Sequence, residues 1–363
     1  MSAPPSACPG PWVDLPALRQ AVDAHLADYL DRKAGTAADH HMPPEIVDTL
    51  RRFVLAGGKR LRPLLCVCGW YAAGGVGDTT QVVRVAASLE MFHAFVLIHD
   101  DIMDQSLTRR GHPTVHQSFI RRLRPHRSRT AAVRLGTSSA ILSGDLALAW
   151  SDELLHTAGL PADRLTALLP VVDTLRTEVM YGQYLDLLAT GDLSGGTDVP
   201  LKVIRYKTAK YTVERPLHIG ATLAHADACA LDQLSAYALP LGEAFQLRDD
   251  LLGVFGTPHT TGKSRLDDLR EGKYTVLIAL ALQHADPAQR ESLDLLLGNP
   301  ALDEGGADRI RDILITTGAR TQVESMIRTR HAQARHALLR STLPTHATRA
   351  LRQIADASVA RTS

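Results

Sequence analysis

From Leu15 to the C-terminus the apolar residues of this chain recur at helical spacing, and nowhere do they alternate with polar ones over more than a few positions. That property excludes most architectures, because a sheet needs period-two alternation or short apolar runs between turns. Leu15 and Leu18 lead into Val22, His25, Leu26 and Leu30, close to a 3.6-residue repeat. Further helices are expected over 43–56, 61–73, 80–103, 131–155, 162–188, 201–225 and 228–255, with shorter ones from there onward. Turn chemistry separates them, at GGVG (74–77), at GDLSGG (191–196) and in the Gly-containing stretch 256–263. No fixed-period repeat and no long linker divides the chain. The economical fold is all-α, one large helical domain over 15–363 behind a Pro-, Ser- and Ala-rich tail, 1–14, expected to be disordered.

A chain of 363 residues can bury a sizeable core without disulfides. Its 40 Lys and Arg against 39 Asp and Glu leave a net charge of +1, so no general attraction to nucleic acid or an anionic membrane is expected. Cys8, Cys66, Cys68 and Cys229 are too scattered for a disulfide framework or a zinc site and are expected to be buried, reduced thiols. The chain start lacks a basic segment followed by an apolar one, and no eighteen-residue apolar run occurs. A cytoplasmic protein without a transmembrane segment is expected. Arg121, Arg122, Arg124, Arg127 and Arg129 form a basic run without interleaved aromatics, which reads as a solvated loop rather than a nucleic-acid surface.

The charges that matter are clustered. Asp100, Asp101 and Asp104 sit late in an apolar stretch, with Asp100 and Asp104 four residues apart and so side by side on a helix. Two carboxylates that close repel unless a cation lies between them, and such spacing suits Mg²⁺, which bridges to phosphates. Taken alone, the cluster could equally be a solvated helix end. A second pair, Asp249 and Asp250, is flanked by Leu247, Leu251, Leu252 and Phe255, which no solvated face would be. Two such clusters could face each other across a cavity and hold several Mg²⁺ against one polyanion.

Matching cations are present. GGKRLRP at 57–63 is a glycine turn that delivers Lys59, Arg60 and Arg62 to a helix start, where backbone N–H groups favour a phosphate. It is not a P-loop. Arg109 and Arg110 follow the first acidic cluster, and Lys207 with Thr208, Lys263 and Lys273 add cations near Gly or Thr. Singly, each is more often a surface charge; it is their company with two aspartate pairs that points to chemistry.

These segments together resemble the trans-isoprenyl diphosphate synthases, the polyprenyl synthetase family. The resemblance is carried by GGKRLRP (57–63), LIHDDIMDQSLTRRGHPTVH (97–116), GDLALAW (144–150), GQYLD (182–186), KTAKYTVERPL (207–217), FQLRDDLLGVFG (245–256) and TGKSRLDDLREGK (261–273), in the family's order. It implies an isoprenoid-synthase bundle around a central cavity, Mg²⁺ as cofactor with three ions when substrate is bound, and a homodimer. It implies that Asp100 and Asp104, supported by Asp101, bind Mg²⁺, as do Asp249 and Asp250. Lys59, Arg62, His93 and Arg110 would hold isopentenyl diphosphate. Arg109, Lys207, Gln246 and Lys263 would surround the allylic diphosphate, with Thr208 beside them and Lys273 near by. The metal and cations would make the allylic diphosphate a leaving group, and the double bond of isopentenyl diphosphate would attack the resulting cation. Proton loss then completes a five-carbon extension with no protein nucleophile. His93 lies seven residues before Asp100, two turns along the same face.

One departure matters: the second cluster reads DDLLG, with Gly253 where many members have a third aspartate. Weaker Mg²⁺ binding is the expectation. Bulk below the first motif limits product length in this family. Phe95 without an insertion in DDIMD resembles geranylgeranyl (C20) enzymes, with Val96 nearly under Asp100 and Phe92 a further candidate floor. These aromatics could instead be plain core. The alternatives are a farnesyl or longer-chain synthase, a class I terpene cyclase, which Asp249–Phe255 does not fit, and a non-catalytic regulatory subunit.

Overall fold

The structure, a computed structural model, describes residues 13–193, 196–256 and 265–359. The expected disordered tail therefore lies almost wholly outside the described residues, as does Lys263. In order along the chain come α1 (Leu15–Asp39), α2 (Glu45–Leu55), α3 (Leu61–Ala72) and α4 (Thr80–Met103). A two-residue hairpin follows, β1 (Thr108–Arg109) with β2 (His112–Pro113) antiparallel, then α5 (Val115–Leu123) and a 3₁₀ turn, Arg124–His126. Next are α6 (Arg129–His156), α7 (Ala162–Ala189), α8 (Asp198–Val203), a π-helix (Ile204–Glu214) and α9 (Arg215–Leu223). The remainder is α10 (Ala228–Phe255), α11 (Asp267–Glu271), α12 (Val276–His284), α13 (Pro287–Leu296), α14 (Glu304–Thr316), α15 (Ala319–Arg340) and α16 (Thr345–Val359). The protein is an all-α bundle, as the periodicity predicts.

Local chemistry sets the helix ends. Asp14, Ser128, Asp227 and Thr275 each accept a backbone N–H with the side chain at the start of α1, α6, α10 and α12. Asp286 and Gln289 form a reciprocal capping box on α13. Val22, Leu26 and Leu30 are wholly buried, as their spacing requires.

α4 is the only described helix long and apolar enough to cross a bilayer, by length and composition alone. In the fold 67% of its apolar window is buried, and it packs against α3 and α6 as a core helix. Cys66 and Cys68 are buried on α3, and burial pushes the Cys68 thiol up to about 12. Cys229 departs from expectation: it stands in the first turn of α10 and is exposed. Cys8 lies outside the described residues.

The expected helix over 201–225 is the larger correction. It is three pieces, and its central eleven residues make the wider i→i+5 turn. Two glycines let neighbouring helices close on this segment. A Cβ at Gly182 of α7 would lie 2.5 Å from the Lys207 nitrogen, and one at Gly242 of α10 would lie 2.4 Å from the Ala209 Cα. Only backbone without a side chain permits that approach.

Candidate active site

α4 runs into a charged cleft, and Asp104 caps its end. Asp100 accepts from Lys207 Nζ at 3.1 Å and from Arg109 Nη2 at 3.1 Å. Burial alone would raise this carboxyl, but Lys207, Lys273 and Arg109 outweigh it and hold the group well below the usual carboxylate range. Asp101 is fully buried and both its oxygens accept from Arg109 Nε, at 2.8 and 2.9 Å. It anchors Arg109 beside Asp100, which is a supporting role.

Lys207, on the π-helix, also reaches Asp186 of α7 at 2.6 Å. Next to it Thr208 Oγ1 donates to Gln246 Oε1 at 2.7 Å, and Gln246 Nε2 donates to Asp250 at 2.8 Å. From the far side Lys273 Nζ bonds Asp104 at 2.9 Å, lies 3.1 Å from Glu271 and is 3.9 Å from Asp268. Four elements carried on distant parts of the chain thus meet α4 in one polar network. Asp186, Lys207, Thr208, Gln246, Asp250 and Lys273 line a cavity of about 80 Å³ within it.

Carboxylates outnumber cations here. Burial first, then the charges of Asp268, Asp249 and Asp186, push Asp250 up to about 7 despite its bond from Gln246. Glu271 is likewise pushed up to about 7, by burial and then by Asp104 and Asp268, with Lys273 opposing. Added positive charge in the cleft would relieve this crowding. The donors are all oxygen, which fits a hard divalent cation. Among the described residues no three His, Cys, Asp or Glu side chains form a metal cage by themselves.

A second cluster carries the opposite charge. Arg62 donates to Thr212 Oγ1 at 2.6 Å, and its guanidinium lies 4.2 Å from the centre of the Tyr211 ring. The Tyr211 hydroxyl is 3.2 Å from His93 Nδ1. Burial, reinforced by Arg62, Arg110, Arg109 and Arg60, holds His93 well below its usual value, so the imidazole is neutral. Arg110 is lowered by burial and by three neighbouring arginines, and it donates to the Gly57 carbonyl. Such uncompensated arginines call for an anion. Arg60 does not join them. It is only 3% exposed, bonded to Glu90 and Asp23 at 2.6 Å each and to the Val54 carbonyl at 2.7 Å. Lys59, by contrast, is exposed at the rim.

The three chain-length candidates lie on α4 below Asp100. Phe92 is buried, packs 6.1 Å from Tyr211 and has Arg176 over its ring at 5.5 Å. Phe95 is half-buried and packs against the His99 ring, tilted by 57° at 4.8 Å, while Val96 is half-buried on the neighbouring face. Sequence reasoning passed over Asp186, Tyr211, Thr212, Asp268 and Glu271. All five sit inside segments that carried the resemblance. Tyr211 and Thr212 follow Lys207 by about one helical turn, and Asp268 and Glu271 precede Lys273 closely, while Asp186 is brought to Lys207 only by the fold.

The chain matches the Polyprenyl synthetase family over residues 43–314. It is 32% identical over 301 residues to a geranylfarnesyl diphosphate synthase of Aeropyrum pernix, covering 82% of this chain and 88% of that one. It is 33% identical over 261 residues to a geranylgeranyl diphosphate synthase of Saccharolobus solfataricus, covering 71% and 73%. Its fold superposes with a TM-score of 0.92 and 38% identity on a geranylgeranyl pyrophosphate synthase of Corynebacterium glutamicum, solved with isoprenyl diphosphate and magnesium, over 96% of this chain and 100% of that one. An acidic cleft joined to an arginine pocket, within a fold and sequence of this kind, makes the chain a member of the polyprenyl synthetase family and a prenyltransferase that elongates prenyl chains head to tail.

Proposed function

We propose that this enzyme condenses isopentenyl diphosphate with allylic diphosphates and that its main product is geranylgeranyl diphosphate, C20. The observation that carries the reading is the division of labour along the π-helix. Lys207 and Thr208 serve the acidic cleft, while Tyr211 and Thr212 serve the arginine pocket, so one segment sets the two diphosphate sites side by side. Holding two substrates in fixed register removes most of the entropic cost of their meeting.

In the acidic cleft Asp100, Asp104 and Asp249, with Asp250 behind them, would hold Mg²⁺, three ions when the allylic diphosphate is bound. The metal supplies the charge that turns that diphosphate into a leaving group. Lys207, Lys273, Arg109 and Lys263 would share its oxygens, and Gln246 keeps Thr208 and Asp250 in place. Lys59, Arg62, His93 and Arg110 would hold isopentenyl diphosphate with its double bond toward the cleft. Neutral His93 can donate to a diphosphate oxygen without adding to the arginine crowding.

The C20 length rests on Phe95 below the first motif and on the relatives named for geranylgeranyl products. The relative named for a geranylfarnesyl product supports C25 as the second reading. We also propose a cytoplasmic homodimer. α6 exposes Val133, Ile141 and Leu142, and α7 exposes Met180, Tyr181, Tyr184, Leu187 and Leu188, apolar stripes of the kind that pair with a second copy.

The test is to incubate the protein with Mg²⁺, labelled isopentenyl diphosphate and C5, C10 or C15 primers, then separate the dephosphorylated products. A dominant C20 alcohol supports the proposal. A C15 or C25 product keeps the condensation and discards the length. Turnover of a single allylic substrate to hydrocarbon would instead indicate a cyclase, and silence with every primer a regulatory subunit.

A further inference from the structure

We propose that Asp268, on α11, supplies the third carboxylate that the second acidic cluster lacks at Gly253. The inference rests on the magnesium–diphosphate reading of the cleft.

Gly253 lies inside α10, four residues after Asp249, so a side chain there would stand on the Asp249 face. A glycine inside a helix costs about 1 kcal/mol relative to alanine, and no turn or cap at this point calls for one. What fills the space is Asp268. A Cβ built on Gly253 would lie 2.0 Å from Asp268 Oδ2 and 3.2 Å from its Cγ. The carboxylate of Asp268 therefore fills the space into which a side chain at 253 would grow.

Two further contacts place Asp268 in the working network. Lys273 lies 3.9 Å from it and 2.9 Å from Asp104, so Asp268 shares a cation with the first acidic motif. Its charge is also among those that raise Asp250. If the missing acid arrives from another helix in this way, Gly253 need not weaken Mg²⁺ binding. An aspartate restored at 253 would put two carboxylates in one place.

The test is calorimetric. Titrate inorganic diphosphate into the full-length protein over a series of Mg²⁺ concentrations, for the wild type, Asp268→Ala, Asp268→Asn, Gly253→Asp and the double variant Gly253→Asp/Asp268→Ala. Removing the Asp268 carboxylate is expected to weaken Mg²⁺-dependent binding by roughly 10–100-fold. Gly253→Asp alone is expected to bind no better than wild type. The double variant is expected to recover most of the loss, which a merely structural role for Asp268 would not allow. Wild-type affinity in Asp268→Asn, or no recovery in the double variant, overturns the inference. The Asn variant keeps the shape of the side chain, so a folding defect in Asp268→Ala leaves the comparison intact. If the wild type itself binds no diphosphate with Mg²⁺, the functional reading fails first.

Discussion

Lys273 bonds Asp104 at 2.9 Å across 169 residues of chain, and this contact ties the end of α4 to the segment after α11. The ammonium also faces Glu271 and Asp268, so three carboxylates share it. With its side chain 20% exposed, the group is largely withdrawn from water.

Removing such a partner leaves buried charges uncompensated, which costs about 3–5 kcal/mol. Lys273→Met is expected to lose that much stability in urea unfolding without divalent cation. Mg²⁺ with diphosphate is expected to return part of it. A variant as stable as wild type would show that the network carries no net energy.

Asp100 and Asp101 are neighbours with different duties. Asp100→Asn is expected to lower kcat by roughly two orders of magnitude or more, as metal charge contributes several kcal/mol to a developing anion. Asp101→Asn is expected to lose stability as well, since Arg109 Nε then loses its fully buried carboxylate and keeps only the ion pair of its Nη2 with Asp100. Steady-state kinetics together with thermal melts separate the two. Equal melting of both variants would overturn the division.

Asp250 gives a pH signature. Its carboxyl keeps its proton up to about 7 in the folded protein, against 3.8 ordinarily. Between those values the folded state binds more protons than the unfolded one, so this group's contribution to stability falls as pH rises. Asp250→Asn has no such proton to lose. Its Tm advantage over wild type, without divalent cation, is expected to widen by about 2–4 °C from pH 5 to pH 8. A constant difference would contradict the assignment.

Phe95→Ala is expected to move product toward chains longer than the wild type's, read by chromatography of the dephosphorylated alcohols. Phe92 is buried under Arg176 and Tyr211, so Phe92→Ala is expected to cost stability first, about 3–5 kcal/mol. Unchanged length in Phe95→Ala would remove it from the floor.

The α7 stripe makes a prediction about assembly. Tyr184→Glu with Leu188→Glu is expected to convert a dimer to monomers in light scattering, because both side chains are more than half exposed on one face. A variant that stays dimeric would move the interface elsewhere.

Much of this was readable from residue spacing. The 3.6-residue repeat located α4, α7 and α10 nearly to the residue, since long amphipathic helices carry that signal redundantly. The aspartate pairs and Arg62, His93 and Arg110 came from motif and helical phase together. What escaped was long-range. Arg60 looks like its neighbour Arg62, yet only the fold brings Glu90 and Asp23 around it. Gly253 looked like a lost ligand because nothing local reveals that Asp268 fills its space. The change to i→i+5 bonding over 204–214 leaves no mark in composition, and it coincides with the close approach of α7 and α10 at Gly182 and Gly242.

That wide turn fixes how the protein can change over time. Lys207 reaches the acidic cleft and Tyr211 reaches His93 among the arginines, but both belong to one stretch of backbone, so their spacing is counted in residues. Deleting a single residue there would turn everything downstream by somewhat less than the ~100° per residue of an α-helix, because the i→i+5 turn is wider. The pocket for one partner would lose its phase with the pocket for the other, though every reactive side chain remained in the chain. New chemistry on this scaffold is expected to arrive by substitution rather than by a change in the length of this eleven-residue span.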